Sequence, residues 1–310
     1  MKKSGNVVFM SCHGRESVYD LRYSDSNQLK PLLIFCHGFK GFKDWGHFNL
    51  IADEFCNSGM IVLKFNFTHN GGTVKEVVDF PDLESFAENN YIKELKDVHH
   101  IIHLVQTGGI TLKNWNGEIF LLGHSRGGGM VTIAAYENKN VSKVVSWAGI
   151  SDCILRLPDE NELLEWKSKG VKFIVNGRTH QNMPMNYQFV ESLFQNKNRL
   201  SIETASKNMN KPHLIIHGTE DIAVDLEDAK SIYSWSSNSE IEIIEGANHV
   251  FGGKHPWNEK SLPFHSKKAT ERAINFLFKS CFIHKMTIVI VQIKKVEFFF
   301  IYLCFFNCFI

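Results

Sequence analysis

Residues 119–130 read Ile-Phe-Leu-Leu-Gly-His-Ser-Arg-Gly-Gly-Gly-Met, and they constrain the fold more than any other stretch of the chain. An apolar run enters a Gly-x-Ser-x-Gly pentapeptide formed by Gly123, His124, Ser125, Arg126 and Gly127, and Val131, Ile133, Ala134 and Ala135 follow it. The pattern predicts a strand, a tight turn and a helix, with Ser125 at the apex. Gly123, Gly127 and Gly128 let strand and helix approach closely, and a turn this sharp thrusts the serine Oγ out of the sheet. The backbone N–H of Arg126 then opens the helix, where amide donors favour negative charge. A serine hydroxyl is a weak nucleophile at neutral pH, so this reading requires a base and an acid from elsewhere in the chain. The competing reading is a glycine-rich turn whose serine caps a helix.

The remaining segments alternate between strand and helix. Short strands are expected over 6–10 and 17–23, joined by a turn at 12–16. Leu32-Leu33-Ile34-Phe35-Cys36 is a continuous apolar run of the kind found in the middle of a parallel sheet, and it leads into His37-Gly38-Phe39. Further strands are predicted over 60–67, 118–122, 141–148, 171–175, 213–216 and 241–244. Helical spacing covers 48–55, ended by Gly59, and also 186–194, 226–235 and 266–279. One long helix is predicted over 84–106, with Tyr91, Leu95, Val98, Ile102 and Val105 on its apolar stripe. Met183-Pro184-Met185 reads as a lead-in to the helix after it. Strands alternating with helices imply βαβ units and a mainly parallel sheet. Residues 153–208 intervene between two core strands, where an insertion is expected to cover the mouth of a site.

A single α/β domain is therefore expected over 1–280. From Cys281 the composition changes to a Phe-, Ile- and Val-rich tail without glycine or proline, expected to be a disordered or non-native extension. Lys294, Lys295 and Glu297 split it, and 298–310 would span only ~20 Å as a helix against a hydrocarbon core of ~30 Å, so membrane contact is the lesser expectation.

The formal charge of +1, with no basic stripe, argues against nucleic acid as a partner. The seven cysteines (Cys12, Cys36, Cys56, Cys153, Cys281, Cys304, Cys308) are scattered and the N-terminus is too weakly apolar for a signal peptide, so a cytoplasmic setting is expected. Cys36 reads as a buried free thiol. His99, His100 and His103 lie along one predicted helix without a companion cysteine or carboxylate cluster. They read as surface or half-buried histidines, and no metal or cofactor is expected. Oligomeric state is not legible.

Four stations fall at the carboxyl ends of predicted parallel strands, where an open α/β sheet binds ligands: His37-Gly38-Phe39, Ser125, Asp221 and His249. Their order, Ser then Asp then His, is that of nucleophile-elbow hydrolases. The strings Cys-His-Gly-Phe-Lys-Gly-Phe-Lys-Asp-Trp (36–45), Gly-His-Ser-Arg-Gly-Gly (123–128), His-Gly-Thr-Glu-Asp (217–221) and Gly-Ala-Asn-His-Val-Phe (246–251) are specific in combination. On these, the chain resembles the α/β-hydrolase superfamily over roughly 6–280, in the branch of feruloyl and cinnamoyl esterases, dienelactone-hydrolase-like proteins and acylaminoacyl-peptidase-like hydrolases.

The resemblance implies an α/β-hydrolase fold, a mostly parallel sheet with helices on both faces and a small cap. It implies Ser125 as nucleophile, Asp221 as acid, His249 as general base, and the N–H groups of Phe39 and Arg126 as the oxyanion hole. Asp152 and Asp225 are rivals for the acid; Asp225 sits in a first helical turn, where a carboxylate caps well. His255 and His265 are rivals for the base. His37 reads as structural, and His124 as packing or hydrogen-bonding beside the nucleophile.

The activity so implied is hydrolysis of small acyl or aryl-acyl carboxylic esters through an acyl-enzyme, on a small-molecule substrate. The alternative is an acylaminoacyl-peptidase-like amidase, although such peptidases carry a large propeller domain and only a short stretch precedes His37. A non-catalytic scaffold is the third reading, weakened because all three triad candidates are present. Trp147, Trp166 and Met183 either line a pocket or fill the core, with core packing expected for Trp147.

Overall fold

Runs apolar on both faces can only be satisfied in the middle of a sheet, and that need organises this chain. The computed structural model describes residues 1–279. In chain order its elements are β1 (Lys2–Met10), β2 (Glu16–Tyr23), β3 (Lys30–Cys36), α1 (Phe48–Asn57), β4 (Ile61–Phe65), α2 (Leu83–Ala87), α3 (Tyr91–Gln106), β5 (Trp115–His124), α4 (Arg126–Glu137) and β6 (Val141–Trp147). A 3-10 turn (Ile154–Arg156) precedes α5 (Glu160–Lys169), β7 (Val171–Val175), β8 (Asn182–Asn186), α6 (Gln188–Gln195), α7 (Ile202–Asn208), β9 (His213–Gly218), α8 (Leu226–Trp235), β10 (Ser239–Ile244) and α9 (Phe264–Phe278).

An eight-stranded sheet runs in the order β1-β2-β4-β3-β5-β6-β9-β10. The β1–β2 and β2–β4 pairs are antiparallel, and every later pair is parallel. Residues of β3 and β9 are buried throughout, whereas the edge strand β1 is largely exposed. Alternation along β3 divides the core: Leu32, Ile34 and Cys36 join α3, α4 and α8 on one face, and Leu33 and Phe35 join α1 and α9 on the other. Trp147 is buried against Phe55 and Phe251, as expected of a core residue. The charged member of β4, Lys64, is fully buried, with its Nζ 3.0 Å from Asp20 and donating to the Lys43 carbonyl at 2.9 Å. A buried ammonium is tolerable only with such partners.

Two sequence expectations need correction. The helix predicted over 84–106 is two helices, α2 and α3, separated at Glu88 to Asn90. Asn90 has extended backbone, and its side chain accepts from the Lys93 N–H, so it caps α3; an apolar stripe does not register such a break. Met183-Pro184-Met185 is not a helical lead-in but the middle of β8, paired antiparallel with β7 in a separate two-stranded sheet. Proline is tolerated there because the hairpin offers an edge. Sequence reading also passed over α7, which packs on α4 and α8.

Among the described residues, no helix is long and apolar enough to cross a membrane. The predicted tail, 281–310, lies outside the described residues.

Candidate active site

The site grows from the junction of β5 and α4. Ser125 sits between them with φ 57° and ψ −122°, a backbone conformation that disfavours a side chain and costs on the order of 1–3 kcal/mol. The junction is locked by neighbours: the Ser125 N–H donates to the Trp147 carbonyl at 2.8 Å, and the Gly128 N–H donates to the Ser125 carbonyl at 2.9 Å. A Cβ on Gly123 would stand 2.2 Å from the Gly127 carbonyl oxygen, and one on Gly127 would stand 2.5 Å from that of His37. Strand and helix can meet this closely only with glycine at both places.

The outlets of β9 and β10 bring two more side chains to this point. Ser125 Oγ donates to His249 Nε2 at 3.0 Å, and His249 Nδ1–H donates to Asp221 Oδ2 at 2.7 Å. The other carboxylate oxygen of Asp221 accepts the N–H groups of Ala223 and Val224 at 2.9 and 3.0 Å. His217 Nε2 lies 3.3 Å from Asp221 Oδ2 and donates to the Val224 carbonyl at 2.9 Å. Burial pushes the Asp221 carboxyl up. The opposing donors, His217, His249 and the Val224 N–H, outweigh it and hold the group well below the usual carboxylate range. The carboxylate is thus ionised and fixed, while His249 keeps a fifth of its side chain exposed (21%).

Phe39 and Arg126 line the same cavity as Ser125. Among the described residues, no backbone acceptor outside helix and strand ladders engages the N–H of either. His37 secures the Phe39 loop: its Nδ1–H donates to the Gly38 carbonyl at 2.8 Å, and its Nε2 accepts the Phe67 N–H at 3.2 Å. Burial lowers His37 to about 4, so it serves as a neutral structural group.

The cavity has a volume of ≈ 230 Å³. Aromatic and aliphatic walls come from Phe39 and Tyr91 on the main body and from Trp166, Ile174, Met185 and Phe189 in the segment between β6 and β9. Trp166 therefore faces the cavity, its Nε1–H donating to the Met185 carbonyl at 2.8 Å, whereas Met183 is fully buried in the core. The Arg126 guanidinium lies 3.7 Å from the centroid of Phe39, 4.7 Å from Tyr91 and 5.4 Å from Phe189. It also donates to Glu94 Oε1 at 3.3 Å, and the Asn89 side-chain amide donates to the same oxygen at 2.8 Å. This buried pair and its aromatic cage hold the residue that opens α4.

No protein-family model matches the sequence, and no curated sequence is similar to it at a significant level. Solved structures do match its shape. Est1E from Butyrivibrio proteoclasticus, solved with ferulic acid bound, superposes with a TM-score of 0.67 at 19% identity, over 88% of this chain and 98% of that one. GrgF, an α/β hydrolase from Penicillium sp. sh18, gives 0.61 at 19% identity, over 90% and 99% of the two chains. The monoacylglycerol lipase of Paleococcus ferrophilus gives 0.58 at 17% identity, over 84% and 99%. The fold is that of the α/β hydrolases.

Within this α/β-hydrolase fold the rival acids and bases are placed elsewhere. Asp152 accepts the N–H groups of Ile154 and Leu155 and so caps the 3-10 turn. Asp225 caps α8, accepting the Glu227 N–H at 2.9 Å. His255 accepts the Gly46 N–H at 2.8 Å, and the ring of His265 lies against that of Phe264. His99 donates to Glu137 and His100 to the Met10 carbonyl, both near the surface.

Sequence reading missed four participants: His217 under Asp221, the Glu94 partner of Arg126, and Tyr91 and Phe189, which face the cavity. A signal for Glu94 existed. It falls three residues after Tyr91 and four before Val98, on the apolar stripe, where an unpaired carboxylate has no place.

Proposed function

We propose that the chain is a serine hydrolase cleaving carboxylic esters of small acyl or aryl-acyl groups through an acyl-enzyme. The observation that carries this reading is the hydrogen-bonded run from Ser125 Oγ through His249 to the buried Asp221, with Ser125 opening on a mostly apolar cavity that Arg126, Arg156 and Lys172 also line. His249 Nε2 takes the Ser125 proton as Oγ attacks the acyl carbonyl, and returns it to the departing alcohol. Water then repeats the sequence on the acyl-enzyme and releases the acid. Asp221 orients the imidazole and stabilises the imidazolium. The N–H groups of Phe39 and Arg126 receive the developing oxyanion, each such donor being worth about 3 kcal/mol.

The size and lining of the cavity favour a flat acyl group. A cavity of about 150 Å³ holds benzene, and ≈ 230 Å³ bordered by Phe39, Tyr91, Trp166 and Phe189 suits an aryl ring on a short arm. Est1E, bound to ferulic acid, is similar in fold, which agrees with an aryl-acyl substrate. Residues 153–208 supply Trp166, Ile174, Met185 and Phe189 to the cavity and so act as its cap.

Labelling with a fluorophosphonate tests the reading. Native protein should incorporate one label, and Ser125→Ala none; a folded native chain that stays unlabelled would exclude it. A panel of p-nitrophenyl esters against aminoacyl nitroanilides separates esterase from peptidase, preferential anilide cleavage favouring the peptidase.

A further inference from the structure

A second cluster of reactive side chains lies away from the cavity, where the β1–β2 turn meets α3. Cys12 and His13 occupy the turn, and Asp97 projects from the helix. One ligand atom from each of the three lies within 4.8 Å of the other two. His13 Nε2 is 3.5 Å from Asp97 Oδ1. The Asp97 carboxylate is 1% exposed, and it is held by the Thr68 N–H at 2.8 Å and the Thr68 hydroxyl at 2.9 Å, both on Oδ2. Thr68 Oγ1 in turn accepts from His69 Nδ1 at 3.1 Å. The same hydroxyl lies 3.1 Å from Oδ1, the oxygen that faces the His13 imidazole, so the buried acid is anchored by Thr68 on the side away from the turn residues.

We infer that Cys12, His13 and Asp97 form a binding site for one divalent cation of the zinc class. A thiolate, an imidazole and a carboxylate together suit borderline metals such as Zn²⁺ and Co²⁺, and not the all-oxygen preferences of Mg²⁺ or Ca²⁺. Bonds of about 2.0–2.3 Å at tetrahedral angles put ligand atoms about 3.3–3.8 Å apart. The His13–Asp97 separation already meets this, and Cys12, being exposed, closes the remainder by side-chain rotation. His13 Nε2 now donates to the Lys93 carbonyl at 3.2 Å and would exchange that bond for the metal. Thr68 and His69 supply the outer hydrogen bonds that orient a ligating carboxylate. The fourth position opens to solvent beside Cys12.

The cation would tie the N-terminal hairpin to α3. Sequence reading weighed a metal only at His99, His100 and His103. These border a surface groove together with Cys12, and His99 and His100 have partners of their own in Glu137 and the Met10 carbonyl.

Metal-free full-length protein titrated with Co²⁺ should develop a cobalt–thiolate charge-transfer band that saturates at one equivalent and is bleached by Zn²⁺. Zinc should also raise the thermal midpoint. Cys12→Ser, which alters an exposed side chain, should abolish the band and weaken zinc binding by about 100-fold or more. The double variant His99→Ala/His103→Ala should bind as the native protein does. Absence of a thiolate band, its survival in Cys12→Ser, or loss of binding in the His99/His103 variant would each overturn the assignment.

Discussion

The Nε2–H of His124 donates to the backbone carbonyl of His249 at 2.8 Å, and the two rings lie 4.8 Å apart. The residue preceding Ser125 thus holds the loop that presents an imidazole to Ser125 Oγ. Burial, with the nearby His249 adding to it, lowers His124 to about 3, so it is a neutral donor at working pH. His124→Ala removes a bond worth about 1–1.5 kcal/mol and should lower kcat/KM on a p-nitrophenyl ester roughly 10-fold. His124→Gln, which retains a donor, should recover most of that loss. Full activity in the alanine variant would show that the clamp has no bearing on hydrolysis.

Asp221→Asn probes the other side of the imidazole. The asparagine carbonyl oxygen would keep the Ala223 and Val224 N–H groups, leaving its amide nitrogen facing His249 Nδ1. The ring would then adopt the wrong tautomer, and kcat should fall about 10⁴-fold with the fold intact. Ser125→Ala and His249→Ala should be nearly equal in effect because the group acts as a unit. Steady-state kinetics with circular dichroism on all three variants checks this.

Glu94→Ala would strand the guanidinium of the buried Arg126 without its carboxylate. Removing one partner of a buried ion pair costs about 3–5 kcal/mol, far beyond a surface substitution. Urea unfolding should show that loss, and Glu94→Gln should lose less because it keeps an oxygen for Asn89. A midpoint unchanged in Glu94→Ala would mean that the aromatic cage alone suffices.

Acid should destabilise the metal-free protein below about pH 6.5. Burial lowers His37 to about 4, and His124 and His213 to about 3, from an ordinary 6.5. With folded values depressed, the unfolded chain binds more protons once pH falls through 6.5. At pH 4 each of these histidines then costs about 3 kcal/mol. Burial pushes Asp97 up from 3.8 to about 7, and it works in the opposite sense. Between pH 6.5 and 4 it offsets about one histidine, so the net effect is loss. Thermal midpoints that stay level from pH 7 to 4.5 would contradict this sum.

Local pattern was enough for the parts whose physics is local. The doubly apolar runs of β3 and β9 can be satisfied only in a sheet centre, and the glycines around Ser125 permit a turn that bulkier residues forbid. Strand-end motifs likewise announced Asp221 and His249, because outlets of parallel strands converge on one edge whatever packs elsewhere. Breaks within a stripe were less legible: Asn89 and Asn90 interrupt a periodicity that continues across them, and the interruption is enforced by a cap.

Sequence by itself therefore determined the sheet, the elbow and the order of the three candidate residues. Tertiary structure alone decided that Glu94 meets Arg126, that Trp166 turns to the cavity while Met183 fills the core, and that Cys12 and His13 reach Asp97. Periodicity reports which face of an element is buried. It does not report which distant element covers that face, and every one of these pairings is made by chain segments brought together only when the sheet closes its layers.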